Sequence, residues 1–218
     1  MLVDLNLRRK TIIIIGEGNE LETRVSQFQD AGARVIAAET SRNVNSRIKV
    51  GFIKFVDWND HSAWKRLFEK YHPYVVILAT PNKPLTSKIV RSIRNQTEAL
   101  IYAVDMPQLN DFNMPAQAKL GDIRVAISTG GLSPVMASFL RQKIEHLITP
   151  EEIQQVKLQA MMRDTIRNRI KNIELRKRCI YRIIHDERIK KYLQDQNFEQ
   201  AKKLASKQID LVAHGELS

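Results

Sequence analysis

The sequence has very little cysteine and no long apolar run, and both absences exclude classes of protein. Cys179 is the single cysteine among 218 residues, which excludes an intrachain disulfide and a cysteine metal cluster. No segment reaches the roughly 18 to 20 apolar residues that cross a membrane. The first ten residues carry charges and lack the apolar region of a signal peptide. We therefore expect a cytoplasmic protein that does not enter a membrane.

Histidine and aromatic residues are also sparse. The five histidines lie too far apart in the sequence for metal-ligand spacing, so no metal site is predicted. Only His185, within a basic helical region, merits testing. Aromatic residues make up 6% of the chain and do not interleave with its basic stretches as stacking platforms for nucleic acid would. The histidines are His61, His72, His146, His185 and His214.

The composition is that of a globular protein with a basic balance. It contains 43% hydrophobic and 27% charged residues, and the net charge is +11. Between Arg163 and Lys191 there are 11 Lys or Arg against 4 Asp or Glu. Such a balance favours an anionic partner, either nucleic acid or a dinucleotide with a polycarboxylate substrate, or it marks a solvated surface.

The most informative early stretch is a run of isoleucines, Ile12 to Ile15, that meets two glycines. A buried strand followed by a glycine turn and a helix is typical of a dinucleotide-binding site. Gly16 is expected to take the tight turn, and Gly18 to let the backbone approach a pyrophosphate. A strand–turn–helix without a ligand is the alternative. The predicted cofactor-binding residues of this turn are Gly16, Glu17, Gly18, Asn19 and Glu20.

Two further strand ends extend this prediction. Glu39 follows a predicted strand 21 residues after Gly18, where an acid accepts hydrogen bonds from the adenosine ribose. Its charge favours NAD over NADP, although Arg42 nearby could pair with a 2′-phosphate. Thr80 and Asn82 follow another buried strand and are predicted to border the cofactor. An exposed acid at a strand end is the alternative for Glu39.

Predicted strands alternate with predicted helices up to about residue 130. Strands are expected at 34–38, 50–56, 74–79, 100–104 and 124–128, and helices at 21–31, 61–71 and 85–95. This alternation throughout predicts an α/β fold, a Rossmann-like doubly wound parallel sheet. Ser133 and Pro134 predict the start of a helix. Past residue 150 no strand pattern remains, so an all-helical C-terminal region is expected.

Two loops carry candidate chemistry. Asp105 lies just past a strand end, where a carboxylate can accept a proton in an oxidation or during metal insertion. A turn-capping aspartate is the alternative. The loop from Ser128 to Ser133 brings hydroxyls, two glycines and a helix start together, which suits a carboxylate or phosphate. A plain capped loop is the alternative there. The predicted substrate-binding residues are Ser128, Thr129, Gly130, Gly131 and Ser133.

Three segments resemble the precorrin-2 dehydrogenase and sirohydrochlorin ferrochelatase family of sirohaem biosynthesis. The first is the glycine turn together with Ala31 to Val35. The second is Tyr102 to Asp105 followed by Asp111 to Ala116. The third and most specific is Ala126 to Val135, which contains Ser-Thr-Gly-Gly-Leu-Ser-Pro-Val. The resemblance covers residues 1–150.

The resemblance implies a function, a cofactor and an assembly. It implies NAD-dependent oxidation of precorrin-2 to sirohydrochlorin, and some family members then insert Fe²⁺ to make sirohaem. Asp105 matches the catalytic aspartate, and the loop from Ser128 matches the wall of the tetrapyrrole site. A homodimer is implied, with an NAD-binding domain at 1–115, a dimerisation and substrate-loop segment at 116–150 and a helical domain at 151–218.

The glycine turn departs from the family at two positions. Glu17 stands where the family has glycine, and Leu21 stands where a small residue is usual. A carboxylate beside a pyrophosphate repels it unless the side chain points away. A non-catalytic dinucleotide-sensing module with a helical output segment is the rival hypothesis, because it accommodates a weakened turn.

Overall fold

The computed structural model describes residues 2–39, 52–53 and 60–215, which form two compact units. The first unit is Met1–Asn113 and the second is Met114–Ser218. The division of the second unit at residue 150 stays a prediction. In the part of the chain that is described, every helix is too short or too polar to cross a bilayer.

The first unit is built on a parallel sheet. Its strands are β1 (Thr11–Gly16), β2 (Arg34–Glu39), β3 (Phe52–Ile53), β4 (Val75–Ala79) and β5 (Leu100–Ala103). All neighbouring strands run parallel, in the order β3-β2-β1-β4-β5. This is the strand order of dinucleotide-binding folds, so the predicted Rossmann-like sheet is confirmed. The rest of the strand predicted at 50–56 lies outside the described residues.

Helices cover both faces of this sheet. They are α1 (Gly18–Asp30), α2 (His61–Tyr71) and α3 (Lys83–Gln96), and a 3₁₀ helix follows at Pro107–Leu109. Ile12 to Ile15 are all 0% exposed, as expected for a strand covered on both faces. Ile13 and Ile15 belong to one core with Trp64 of α2 and with side chains of α3. Because side chains alternate along a strand, Ile12 and Ile14 face the side where α1 packs.

The strands that follow β1 are added on one side of it, and the strands from β4 onward are added on its other side, so the strand order reverses between β1 and β4. From β1 the chain proceeds to β2 and β3 on one side, and β4 and β5 extend the sheet on the other. Ligands of such sheets bind beyond the carboxyl ends of the two strands at this switch point. The predicted cofactor residues follow β1, β2 and β4, so they lie along this edge.

The second unit begins with an antiparallel hairpin. The hairpin strands are β6 (Ala116–Leu120) and β7 (Ile123–Ile127). The strand predicted at 124–128 therefore exists, but it pairs with β6 and does not continue the parallel sheet. The prediction that strands alternate with helices throughout is wrong here, because only the two residues of a tight turn separate β6 from β7. Hydrogen-bond pairing decided this point, and strand patterns do not reveal a strand's partner.

Five helices complete the second unit. They are α4 (Pro134–Leu147), α5 (Pro150–Arg169), α6 (Ile173–His185), α7 (Glu187–Gln194) and α8 (Phe198–Ala213). Leu158, Ile183 and Ile209 are fully buried in one core that α5 to α8 share. The predicted all-helical C-terminal region is confirmed, and the helix start at Ser133 is also confirmed, since Met136 N–H donates to Ser133 Oγ (3.2 Å).

Candidate functional site

The two glycines after β1 have different structural roles. Gly16 ends β1, and a Cβ there would lie closer than 3.0 Å to the backbone of Ala79 on β4. Gly18 begins α1 with a φ of 64°, a left-handed conformation that favours glycine. The sequence assigns the tight turn to Gly16, but the structure gives the unusual backbone conformation to Gly18. Apart from its chain neighbours and the backbone of its own helix, no described atom lies within 4 Å of a Cβ placed at Gly18, so this turn is open on that side.

The amino-terminal end of α1 differs from that of the other described α-helices. Glu17 precedes the helix in an extended conformation, and its side chain makes no capping hydrogen bond. Helices α2 to α8 each begin after a residue whose side chain accepts such a bond. The first N–H groups of α1, from Gly18 to Glu20, are therefore left for an anion, which the helix dipole also attracts.

Two acidic side chains border this helix end. Glu20 Oε1 lies 2.8 Å from Arg24 Nε one turn further along α1, so its charge is partly compensated. Glu17 is half-buried and has no ion-pair partner in the described part of the chain. Asn19 is exposed, and its carbonyl oxygen accepts from Thr23 Oγ1 (2.8 Å). Glu17 is thus the uncompensated charge that an anionic ligand would meet at this turn.

Glu39 is a buried acid at the carboxyl end of β2. It is 3% exposed and pairs with Gly16 in the parallel register. Its Oε1 atom is buried and has no hydrogen-bond partner among the described residues. An unpaired buried oxygen costs free energy, which a ligand hydroxyl at this position would recover. Arg42, the alternative partner of a 2′-phosphate, lies outside the described residues.

Thr80 and Asn82 follow β4 across the switch point from Glu39. Thr80 is 2% exposed, and its Oγ1 accepts from Asn82 N–H (3.4 Å). Asn82 Oδ1 caps α3 by accepting from Leu85 N–H (3.0 Å). The cap therefore uses the oxygen of the Asn82 side chain, and its amide NH₂ group is what remains to contact a ligand.

Asp105 lies in the turn that follows β5. The parallel register pairs Ala103 with Leu78, which places the start of this turn beside the end of β4. Asp105 is exposed, and no described residue donates a hydrogen bond to its carboxylate. The turn-capping alternative therefore has no support among the described contacts. The carboxylate is available to a ligand at the same sheet edge as the glycine turn.

The loop from Ser128 to Ser133 is closed by its own hydroxyl groups. Thr129 Oγ1 donates to Ser133 O (3.0 Å) and accepts from Ser133 N–H (3.1 Å). Ser128 Oγ accepts from Gly130 N–H (3.2 Å). Gly130 and Gly131 have φ angles of 64° and 85°, so the loop needs glycine at both positions. Thr129 and Ser133 thus serve the loop itself, while the glycines and Ser128 are more accessible.

Metal-ligating groups do not cluster in the described residues. No group of three or more His, Cys, Asp or Glu side chains there could hold an ion. His185 stacks on Tyr181, with ring centroids 6.2 Å apart. Cys179 is buried, and burial raises the pKa of its thiol. In the described chain neither His185 nor Cys179 belongs to a metal-binding set.

Sequence reasoning missed the residues that hold the Asp105 turn. Ala103 N–H donates to Asn110 Oδ1 (2.6 Å), and Ile101 N–H donates to Asp111 Oδ2 (2.9 Å). Arg94 of α3 lies 2.8 Å from Asp111 Oδ1. The sequence contains no periodic signal for these bonds, because they join a strand edge to side chains that follow a loop.

Two family models match different parts of the chain. A family model described as "Putative NAD(P)-binding" matches residues 3–116, more than half of the chain. The chain belongs to this NAD(P)-binding family. A second model, described as sirohaem biosynthesis protein central, matches residues 121–147, which include the loop from Ser128. The resemblance to sirohaem-biosynthesis proteins is thereby confirmed.

Individual relatives of this NAD(P)-binding protein carry related names. A siroheme synthase from Xylella fastidiosa is 30% identical over 175 residues, which is 79% of this chain and 36% of that protein. A precorrin-2 dehydrogenase from Methanosarcina barkeri is 27% identical over 190 residues, covering 85% of this chain and 83% of that protein. The chain thus spans about a third of the siroheme synthase but most of the dehydrogenase.

A solved structure shares the fold. It is described as SirC, precorrin-2 dehydrogenase, and matches with a TM-score of 0.69 at 16% identity. The match covers 93% of this chain and 99% of that chain. At this identity the likeness establishes the fold alone, and it extends over both units.

Proposed function

We propose that this protein oxidises precorrin-2 to sirohydrochlorin with NAD⁺ as the oxidant. The observation that carries the proposal is Asp105, whose exposed carboxylate accepts no hydrogen bond from the described residues and lies at the same sheet edge as the glycine turn. A relative named precorrin-2 dehydrogenase aligns with 85% of the chain, which supports the same substrate.

The residues of the first unit fit a bound dinucleotide. The uncapped N–H groups of Gly18, Asn19 and Glu20 are suited to bind the pyrophosphate. Glu39 Oε1 is suited to accept a hydrogen bond from a ribose hydroxyl, and its charge disfavours the 2′-phosphate of NADP. Thr80 and Asn82 border the other side of the switch point. When bound, NAD⁺ supplies the hydride acceptor, so the protein has to supply position and a base.

Asp105 is the base in this proposal. Removing two hydrogens from the substrate transfers one as a hydride and leaves a proton, which the Asp105 carboxylate accepts. A carboxylate that is exposed at a strand end can exchange that proton with water afterwards. In the second unit, Ser128, Thr129, Gly130, Gly131 and Ser133 form the proposed substrate loop, whose hydroxyl and N–H groups suit the carboxylates of a tetrapyrrole.

We include a homodimer in the proposal because of the surface of α4. Val135 and Phe139 of α4 are 79% and 55% exposed, and Leu132, in the turn just before the helix, is 92% exposed. Met136, Leu140 and Leu147 are also exposed on the same helix, although their spacing is that of a buried apolar stripe. An exposed apolar face of this kind is typical of a protein–protein interface, and a second copy of the chain would cover it.

Insertion of Fe²⁺ is the second activity that the relatives suggest. Several matching proteins are named siroheme synthase, and sirohaem contains iron. In this proposal Fe²⁺ is a substrate delivered to the macrocycle, with Asp105 accepting protons that the pyrroles release. The cytoplasm is the proposed location, supported by the single, buried Cys179.

The test is to mix purified protein with precorrin-2 and NAD⁺ and to follow the absorbance of sirohydrochlorin. We expect NAD⁺-dependent product formation, which Asp105→Asn should reduce by about 10²- to 10⁴-fold, as for loss of a general base. NAD binding should persist in that variant. Binding of NAD without any product would instead support the dinucleotide-sensing module. Adding Fe²⁺ and recording the sirohaem spectrum tests the chelatase activity separately.

A further inference from the structure

The turn that carries Asp105 is held at its base by side chains instead of by another strand. Strand β5 is the edge of the described sheet, so the N–H groups of Ile101 and Ala103 point away from β4. An edge N–H without a partner invites fraying of the strand. Here the N–H of Ala103 donates to Asn110 Oδ1 (2.6 Å) and that of Ile101 donates to Asp111 Oδ2 (2.9 Å).

The backbone on both sides of the turn is fixed by further bonds. Val104 N–H donates to Leu78 O (3.0 Å), which ties the start of the turn to β4. Asp111 N–H donates to Ile101 O (3.0 Å), which closes the chain back onto β5. Asp105 therefore lies in a short closed loop whose two ends meet at one strand edge.

Helix α3 anchors the returning end of this loop. Arg94 Nη2 donates to Asp111 Oδ1 (2.8 Å) and to Leu109 O (3.1 Å). The ring of Phe112 packs against Tyr102 with centroids 5.5 Å apart. The contacts to Asp111 and Phe112 lie just after Asn110 in the chain, and the contact to Leu109 lies just before it. Together they fix the segment from which the Asn110 side chain reaches back to Ala103.

We propose that Asn110 is a positioning residue for Asp105. It accepts the N–H of Ala103, two residues before Asp105, and so fixes the backbone from which the carboxylate projects. The inference rests on the proposed function, because it needs Asp105 to be the base. Asn110 itself touches no reacting atom in this proposal. Its effect on the rate should therefore pass through Asp105 alone.

Three variants of the full-length protein test this role in the sirohydrochlorin assay. Asn110→Ala removes the acceptor, and we expect kcat to fall on the order of tenfold with an unchanged KM, since misplacement affects the chemical step. Asn110→Asp keeps an oxygen acceptor and should restore most of kcat. Gln108→Ala, an exposed residue of the same loop, is the matched control and should retain the wild-type kcat.

A double-mutant cycle separates positioning from a general structural effect. In an Asp105→Asn background, adding Asn110→Ala should cause no further loss of the residual single-turnover rate. An equal tenfold loss in that background would overturn the inference. So would a wild-type kcat in Asn110→Ala, a change in KM alone, or an Asn110→Asp variant as slow as Asn110→Ala. Thermal unfolding and NAD affinity of each variant verify that the fold and cofactor site are intact.

The outcome also distinguishes this inference from the proposed function. A folded wild-type protein that makes no sirohydrochlorin would contradict the proposed function and this inference with it. An active protein whose kcat depends on Asp105 but not on Asn110 would contradict only the positioning role.

Discussion

Two loops of this molecule combine glycine with the start of a helix, yet they present different groups to a ligand. At the glycine turn, Gly18 opens α1 and no side chain caps the helix. At the loop from Ser128 to Ser133, the Ser133 hydroxyl accepts from Met136 N–H and caps α4. The first N–H groups of α1 have no side-chain cap, whereas an N–H group at the start of α4 is already bonded to Ser133.

The difference indicates how each loop can bind an anion. The open end of α1 can offer several converging N–H groups, which suits a pyrophosphate. In the loop before α4, Thr129 and Ser133 already form hydrogen bonds with each other that close the loop. The groups that remain to contact a ligand there are exposed Ser128 and two exposed glycines in left-handed conformations. The glycine turn before α1 and the glycine loop before α4 look alike in sequence. The capping of the two helices shows that they offer different groups to an anion.

The largest expected effect comes from adding a methyl group at Gly16. In Gly16→Ala the new Cβ would meet the backbone of Ala79, so β1 and β4 must separate. We expect unfolding in urea to show a loss of about 3 kcal/mol, at the upper end for overpacking. Gly130→Ala is the matched control in the other loop, where no described atom beyond the chain neighbours lies within 4 Å of the new Cβ. Its cost should be about 1 kcal/mol from the left-handed backbone, and equal losses would contradict the distinction.

A smaller effect is expected when the buried acid beside the first loop is neutralised. Glu39→Gln keeps the shape but weakens the hydrogen bond to a ribose hydroxyl, so the Kd for NAD should rise about tenfold. The Kd for NADP should fall, since the 2′-phosphate no longer meets a charge. Isothermal titration calorimetry measures both. Ser128→Ala should leave the NAD affinity unchanged; a parallel loss in that variant would show that the two loops share one ligand.

Removing the cap of α4 should cost less. Ser133→Ala deletes the oxygen that accepts Met136 N–H, and the free energy of unfolding should fall by about 1 kcal/mol. Urea denaturation provides the measurement. Glu17→Ala at the corresponding position of α1 is the comparison, because Glu17 makes no capping bond. A loss as large as that of Ser133→Ala would mean that Glu17 stabilises α1 after all.

The smallest effect concerns the charge at the open helix end. Glu17→Gln removes the carboxylate that a pyrophosphate would meet, so NAD should bind about twofold to fivefold more tightly at low salt. The gain should shrink as salt is added, because ions screen a charge that is partly exposed to water. Glu22→Gln, one turn further along α1, is the control for net charge. A similar gain in that variant would show that the effect is not local to the turn.

Much of the first unit was predictable because its signals are local. The isoleucine run, the glycines and the acid at Glu39 follow one another within thirty residues, and each belongs to a strand end of a regular α/β repeat. The helix at His61–Tyr71 has the predicted ends, and in the structure the Asp60 side chain caps it by accepting from Ser62 N–H and Ala63 N–H. The resemblance to sirohaem-biosynthesis proteins came from such contiguous motifs.

The second unit was harder to predict because partners determine its features. Strand β6 is absent from the strands predicted from the sequence, and its role became clear only from pairing with β7. The apolar stripe of α4 predicts burial, yet Leu147 is 68% exposed. Periodicity shows that a face is apolar, but it does not say whether this chain or another copy covers it.

By itself, the sequence determined the parallel α/β repeat, the glycine turn, the helix start at Ser133 and the acid at Asp105. These depend on residues close together in the chain, where propensity and capping act directly. Tertiary structure alone decided that Gly16 packs against Ala79, that Glu39 Oε1 is buried without a described partner and that Asn110 returns to bind Ala103. The first and third are contacts between separate strands or across a loop, and the second is a burial that several elements produce together. All three exist only after the chain has folded.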